Sequence, residues 1–262
     1  MISPLAYVDP SARLGKDVIV HPFAYIDKNV EIGDNCEIMP YASILSGARL
    51  GKCNKVFQGS IISATPQDFR WKGCDSLCII GDNNTIRENV IINRSINPDG
   101  ATRLDNQIFV MAKSHIGHDS YIHSRCVLGN GVAVAGGVEV ESGCILSSAA
   151  ILHEGVHMGR LSMVKGGCRI SGDVPPYVII AHNPAGYYGV NSHILTKHAG
   201  FTEAQIDDIA KAYRHIYQSS TSLFNALQRI ENDIDPSDYR DEILRFIRSA
   251  KQRIVGERKL DD

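Results

Sequence analysis

No stretch of this 262-residue chain approaches the run of about 18 apolar residues that crosses a bilayer, and the first repeat begins where a secretory leader would lie. Neither a membrane span nor a signal peptide is expected, and the cytoplasm is the expected compartment. Excess charge of one sign is also missing: the formal net charge is -2, which argues against a nucleic-acid partner. Tryptophan occurs once, as Trp71. Cysteine is present seven times but not in a zinc pattern, because Cys74 and Cys78 have no second pair to complete a ligand set.

What the chain does have is a period of six. An aliphatic residue returns every sixth position from Ile2 through Val8, Leu14, Val20 and Ile26 to Ile62. It resumes at Ile80, Ile86 and Ile92, then runs without a break from Leu104 to Ile170. Neither interruption shifts the phase. A helix repeats at 3.6 and a strand at 2.0, so a period of six fits a coil of short strands joined by bends. Four places after each aliphatic comes a small residue, such as Ala24, Cys36, Ala42, Cys126, Cys144 or Cys168, suited to a cramped corner. Those thiols therefore read as structural. Gly15, Gly33, Gly51, Gly81, Gly117, Gly129 and Gly159 follow the aliphatic directly, which suits either a positive φ or a close backbone. Three hexads close a triangular coil, and coils stack as parallel strands at about 4.8 Å, giving about ten coils before residue 180.

The period ends at Asp173-Val174-Pro175-Pro176-Tyr177, and a helical one follows. Thr202 and Gln205 form a capping box for a first helix with Ile206, Ile209, Ala210, Tyr213, Ile216 and Tyr217 on one face. A second helix is expected near Ser220 to Asn232. A third is expected to start at Asp235-Pro236, with Asp235 as cap and Pro236 in the first turn. The expected division is a β-helix over 1–186, with insertions near 63–79 and 93–103, and a small helical part over 187–262.

A coil needs no detours to be stable, so the insertions are where function is sought. The first carries Gln67-Asp68-Phe69-Arg70-Trp71-Lys72; its charges otherwise read as solvated surface. The second, with Asn97-Pro98-Asp99-Gly100, has no evident chemistry and reads as structural or as a subunit contact. Histidine is the other signal, because it takes a proton near neutral pH. His115 and His118 flank the inward Ile116, so at least one faces outward or sits at a bend. Asp119 either orients the His118 ring or is merely solvated. A direct bond between these neighbours requires a corner, since adjacent strand residues face opposite sides.

The hexads, Gln67-Asp68-Phe69-Arg70, Ile86-Arg87-Glu88, His115-Ile116-Gly117-His118-Asp119, Asp173-Val174-Pro175-Pro176-Tyr177-Val178-Ile179 and Gly189-Val190-Asn191 together resemble the bacterial UDP-N-acetylglucosamine O-acyltransferases, the first enzymes of lipid A synthesis. The resemblance spans essentially the whole chain. It implies a homotrimer of left-handed parallel β-helices with sites in the clefts between subunits. The implied donor is an (R)-3-hydroxyacyl chain on acyl carrier protein and the acceptor is UDP-N-acetylglucosamine, with no metal and no further cofactor. By the same resemblance His118 is the general base, Asp119 its orienting partner and Gly136 the source of an oxyanion-stabilising N–H. It also implies substrate contacts for Gln67, Asp68, Arg70 at a common lysine position, His115, His153, Glu154 at a familiar glutamine position, and Asn191 near the uridine. Gly166 falls where the depth of the acyl tail is set. Departures occur at Gly137, where a further cleft histidine is usual, and at His198-Ala199, where paired arginines face the nucleotide phosphates. They leave open whether the sugar is UDP-N-acetylglucosamine or a 3-amino analogue.

Two other users of such coils compete. A γ-class carbonic anhydrase would match the spacing of His118 and His123, but a third histidine is missing near Asp82. An acetyl-CoA-dependent hexapeptide acetyltransferase would share the coil, yet accounts for neither the helical tail nor the loop at Gln67 to Lys72. An inactive scaffold leaves that loop and His118 unexplained.

Overall fold

The computed structural model describes residues 1–219 and 221–256. Its strands form three parallel sheets of nine, eight and ten among the described residues, in which every third strand pairs with the next: Tyr7–Val8 with Tyr25–Ile26, Arg13–Leu14 with Glu31–Ile32, Ile19–Val20 with Glu37–Ile38. The three sheets are the faces of the triangular prism that the hexads require, and the coil is the left-handed parallel β-helix that the resemblance implies. The first face ends at Arg169–Ile170, the second at His157–Met158. The third closes with Val178–Ala181 and an antiparallel Gly186–Val190.

Most strands hold two residues, one outward and one inward. From Val20 to Ile170 the inward aliphatics are at most 5% exposed and stack in three columns, one on each face, that together fill the core. The small corner residues, Cys36, Cys126, Cys144 and Cys168 included, are buried beside them. Of the two roles open to the repeat glycines, close approach is the one used. A Cβ on Gly117 would stand 2.7 Å from the Ala135 carbonyl carbon, and one on Gly33 2.6 Å from the Gly51 oxygen. Positive φ falls instead two residues later, at Asp17, Asn29, Asn35, Lys113, Asp119 and Gly137 among others. These are the corners proper, where Asn, Asp and Gly tolerate the left-handed conformation.

Four helices follow among the described residues: α1 Ser192–His198, α2 Glu203–Tyr217, α3 Leu223–Asp233 and α4 Asp238–Ser249. The Thr202–Gln205 capping box forms as expected. α1 was not anticipated; it is a short element held by the burial of Leu195. α3 is capped by Ser222, and Ser220, the expected start, lies outside the described residues, as do residues 257–262 of the expected helical part. α4 does not start at Asp235-Pro236. Its cap is Ser237, whose hydroxyl accepts from the Arg240 N–H, so Pro236 stands outside the helix rather than in its first turn.

The segment at Asp173 joins coil to helices. Its carboxylate accepts from the N–H groups of His157 (2.9 Å) and Gln252 (3.1 Å), and its backbone bonds the returning segment at Arg253 and Val255. Tyr213, fully buried, donates to the Pro176 carbonyl. Helices and coil therefore share one core.

Candidate active site

Both insertions leave the prism at the same edge. Residues 65–76 run between Ile61–Ala64 on the first face and Leu77–Ile80 on the second, and residues 94–100 between Ile91–Asn93 and Ala101–Leu104 on the same two faces. His118, Gly136 and Glu154 occupy equivalent positions of successive coils along that edge, because the strands before them pair in register. The insertions therefore overhang these residues for a topological reason. Between the first insertion and this edge lies a groove of about 360 Å³ lined by Gln67, Asp68, His115, His118, Gly136 and Glu154, among others.

His118 is 8% exposed and stands between two carboxylates. Its Nδ1 is 2.8 Å from Asp119 Oδ2, and its Nε2 is 3.2 Å from Asp68 Oδ2. The bond between sequence neighbours forms because Asp119 is a left-handed corner residue, φ 59°. Gly136 has no side chain for a steric reason: a Cβ there would enter the His118 ring, 2.5 Å from Nε2. The Gly136 N–H beside that ring has no acceptor among the described residues.

Asp119 is secured by the second insertion. It accepts from the Ser95 hydroxyl, the Ile96 N–H (3.2 Å) and the Asn97 amide (3.0 Å), while its own N–H donates to Thr102 Oγ1 at 2.8 Å. Burial alone would raise the Asp119 carboxyl, but these bonds and that of His118 outweigh it and hold it below the ordinary carboxylate range. Asp68 is held well below that range, first by the side-chain and backbone bonds from Arg70. Arg70 also reaches Glu154 Oε1 at 2.6 Å across the groove. His115 donates through Nε2 to Asn93 Oδ1 at 2.7 Å. Burial, then the neighbouring His118, lowers its pKa, so it is a neutral hydrogen-bonding group.

The structure thus gathers Gln67, Asp68, Arg70, His115, His118, Asp119, Gly136 and Glu154 at one edge. His153 is exposed beside Glu154 and outside the groove lining. The remaining expected residues lie on other edges of the same chain. Asn191 is buried at the edge between the second and third faces, where its amide donates to the Leu161 carbonyl. His198 borders a cavity of about 530 Å³ there with Arg125 and Arg160. Gly166 stands at the third edge, over Ser148. Gly137 is an open corner with no atom near its absent Cβ. His123 pairs with Glu139 (3.0 Å) and Asp105 (3.7 Å), carboxylates that His118 does not use.

Ser95, Asn97, Thr102 and Asn93 were not singled out from the sequence. The sequence of the second insertion reads as structural or as a subunit contact, and its one signal is that it preserves the phase of the hexads and so returns to the edge it left.

Residues 173–255 match the family described as "Udp N-acetylglucosamine O-acyltransferase; Domain 2", and residues 2–98 match the GMPPB C-terminal domain family. The acyl-[acyl-carrier-protein]–UDP-N-acetylglucosamine O-acyltransferase of a Janthinobacterium species is 39% identical over 97% of this chain and 99% of its own. That of Gloeothece citriformis is 39% identical, but the match covers 70% of this chain and 66% of the relative, just under two thirds. Among solved structures, the UDP-N-acetylglucosamine acyltransferase of Bacteroides fragilis is 42% identical, with a TM-score of 0.95 over 97% of this chain and 100% of that one. The Francisella novicida enzyme is 32% identical, with a TM-score of 0.94 over 98% and 94%.

Proposed function

This chain belongs to the acyl-carrier-protein-dependent UDP-N-acetylglucosamine O-acyltransferase family, and we propose that it transfers an (R)-3-hydroxyacyl chain from acyl carrier protein to the 3-hydroxyl of UDP-N-acetylglucosamine, opening lipid A synthesis. The observation that carries the reading is His118, fixed through Nδ1 by a carboxylate and bordering a groove that Gly136 also lines, with a Gly136 N–H that has no acceptor among the described residues.

In this reading Asp119 keeps the hydrogen on Nδ1, leaving Nε2 to accept. As the sugar 3-hydroxyl attacks the thioester carbonyl, His118 Nε2 takes its proton, worth about 10²–10⁴-fold in rate. Negative charge collects on the carbonyl oxygen, where the Gly136 N–H is the candidate donor. Collapse forms the ester, breaks the carbon–sulfur bond and expels the carrier's thiolate, which receives the proton back from His118. His115 and Asp68 supply hydrogen bonds to the substrates.

Asn191, His198 and Gly166 lie on edges remote from His118, so one chain does not assemble the whole set. This supports a homotrimer in which the groove of one copy meets the neighbouring edges of others, the acyl tail running past Gly166. Arg125 and Arg160 beside His198 would then supply the positive charge that paired arginines otherwise give to the nucleotide phosphates.

The test is transfer from a series of 3-hydroxyacyl carrier proteins to UDP-N-acetylglucosamine and to its 3-amino analogue, with products identified by mass spectrometry. An ester product from the wild type supports the reading, and the preferred donor gives the chain length. Product with the amino sugar alone would replace the acceptor, and no product from any pair would reject the reading.

A further inference from the structure

The tip of the first insertion is held by charge rather than by packing. Phe69, at the tip, is 92% exposed and gives the loop no apolar anchor. Its two neighbours are both pinned. Arg70 grips Asp68 through Nε (3.0 and 3.1 Å to the two oxygens), through the second guanidinium nitrogen (2.7 Å) and through its backbone N–H (2.7 Å). The same guanidinium reaches Glu154, 84 residues on and one coil past Gly136, at 2.6 Å. Asp68 in turn meets His118 Nε2.

Asp119 is hydrogen-bonded to His118 Nδ1, and the Asp68 carboxylate stands 3.2 Å from Nε2 in ion-pair contact, in the space an acceptor hydroxyl needs to reach that nitrogen. The acceptor hydroxyl must therefore take the place of Asp68 at that nitrogen.

We propose that Arg70 is a positioning residue: anchored by Glu154, it latches the 65–76 loop across the groove and holds Asp68 against His118 until substrate displaces it. The inference deepens the acyltransferase reading and rests on it for the kinetic arm of its test. It assigns Arg70 and Glu154 to each other rather than to the substrate. Both side chains are about half exposed, 48% and 59%, so the latch is weak by construction and can open in each cycle.

Trp71, the only tryptophan, follows Arg70 and lies under the Arg94 guanidinium, 5.4 Å from its centroid, so its emission reports the loop without any substrate. The experiment compares wild type, Arg70→Gln, Glu154→Gln, the double variant and Lys72→Gln, a charge control on the same loop whose ammonium donates to the Phe69 carbonyl and takes no part in the Arg70–Glu154 pair. Acrylamide quenching of Trp71 is expected to be steeper in Arg70→Gln, Glu154→Gln and the double variant than in wild type and Lys72→Gln, and to rise with salt only in wild type and Lys72→Gln, which keep the latch. In the transfer assay Glu154→Gln is expected to lower KM for the acceptor about two- to fivefold with kcat little changed, because the hydroxyl no longer has to displace a latched Asp68. It should have no further effect in the Arg70→Gln background, since residues acting through one contact do not add. Unchanged quenching, or full additivity, would overturn the latch while leaving the acyltransferase reading in place. A wild type without transfer would reject that reading, and the quenching series would still decide for or against the latch.

Discussion

Asp119 Oδ2 lies 2.8 Å from the Nδ1 of the residue that precedes it, His118. In an extended strand these side chains would point to opposite faces. They meet here because residue 119 turns the corner with a positive φ, and because three donors from residues 95–97 hold its carboxylate in place. The orientation of the candidate base is thus set by the coil's own geometry plus an insertion.

Replacing His118 by alanine is expected to lower transfer by about 10²–10⁴-fold. Melting temperature and oligomeric state should stay as in wild type, because the ring borders a groove and supports none of the stacked aliphatics. Steady-state rates and a thermal scan on the same preparation decide it; a collapse of the assembly would return His118 to a structural role.

A methyl group at residue 136 would occupy the space of the His118 ring. Gly136→Ala should therefore push the imidazole off its position and cost kcat on the order of 10²-fold, the scale of a misplacement of about 1 Å. φ at this residue is not left-handed, so the backbone itself accommodates alanine and the melting temperature should barely move. Activity close to wild type would mean that the ring has room to retreat without loss.

Ser95 is the residue of the second insertion through which its role can be tested. Ser95→Ala removes one of several donors to Asp119, and hydrogen bonds to charged groups contribute about 1.5–3 kcal/mol. A fall in kcat of about 10-fold with KM for both substrates unchanged is expected, since Ser95 acts on the base and not on the ligands. An effect confined to KM would place Ser95 at the substrate instead.

The core was legible because burial repeats with the hexads: Ile116, Ile122 and Leu128 point inward in the order the period demands. The corner at Asp119 was readable in principle, since Asp17, Asn29, Asn35 and Gly137 share its place in the hexad and favour the left-handed conformation. Asp68 and Ser95 were harder. Their contacts with His118 and Asp119 join segments 50 and 24 residues apart, and no periodicity encodes which atom of an insertion meets the edge. The start of α4 was missed because Asp235, Pro236 and Ser237 all carry cap signals, and only the Ser237 hydroxyl reaches an N–H of the first turn.

The joint between coil and helices should respond to pH through His157 and Glu141, 2.9 Å apart. Burial lowers the His157 pKa, but the bond and charge of Glu141 outweigh it and the net direction is upward. Burial raises Glu141, and the His157 bond together with the Arg160 N–H brings it below its ordinary value. A histidine raised on folding contributes stability in full below its unfolded pKa, about 6.5, and loses it as pH rises through the folded value; a carboxylate lowered on folding contributes above its unfolded pKa, about 4.3, and loses it as pH falls through the folded value. The pair therefore stabilises most between those limits, by about 1 kcal/mol or less for a partly exposed contact. Melting temperature is expected to decline from pH 6 toward pH 8 in wild type, and Glu141→Gln should flatten that slope. Phe246 of α4 packs on the His157 ring, centroids 4.6 Å apart, so the decline should appear as loosening of the helices before the coil. Hydrogen-exchange protection factors, which remove the base-catalysed rise of intrinsic exchange, separate the two: protection lost at the higher pH only in α4 supports the assignment, and loss all along the coil would move the pH response elsewhere.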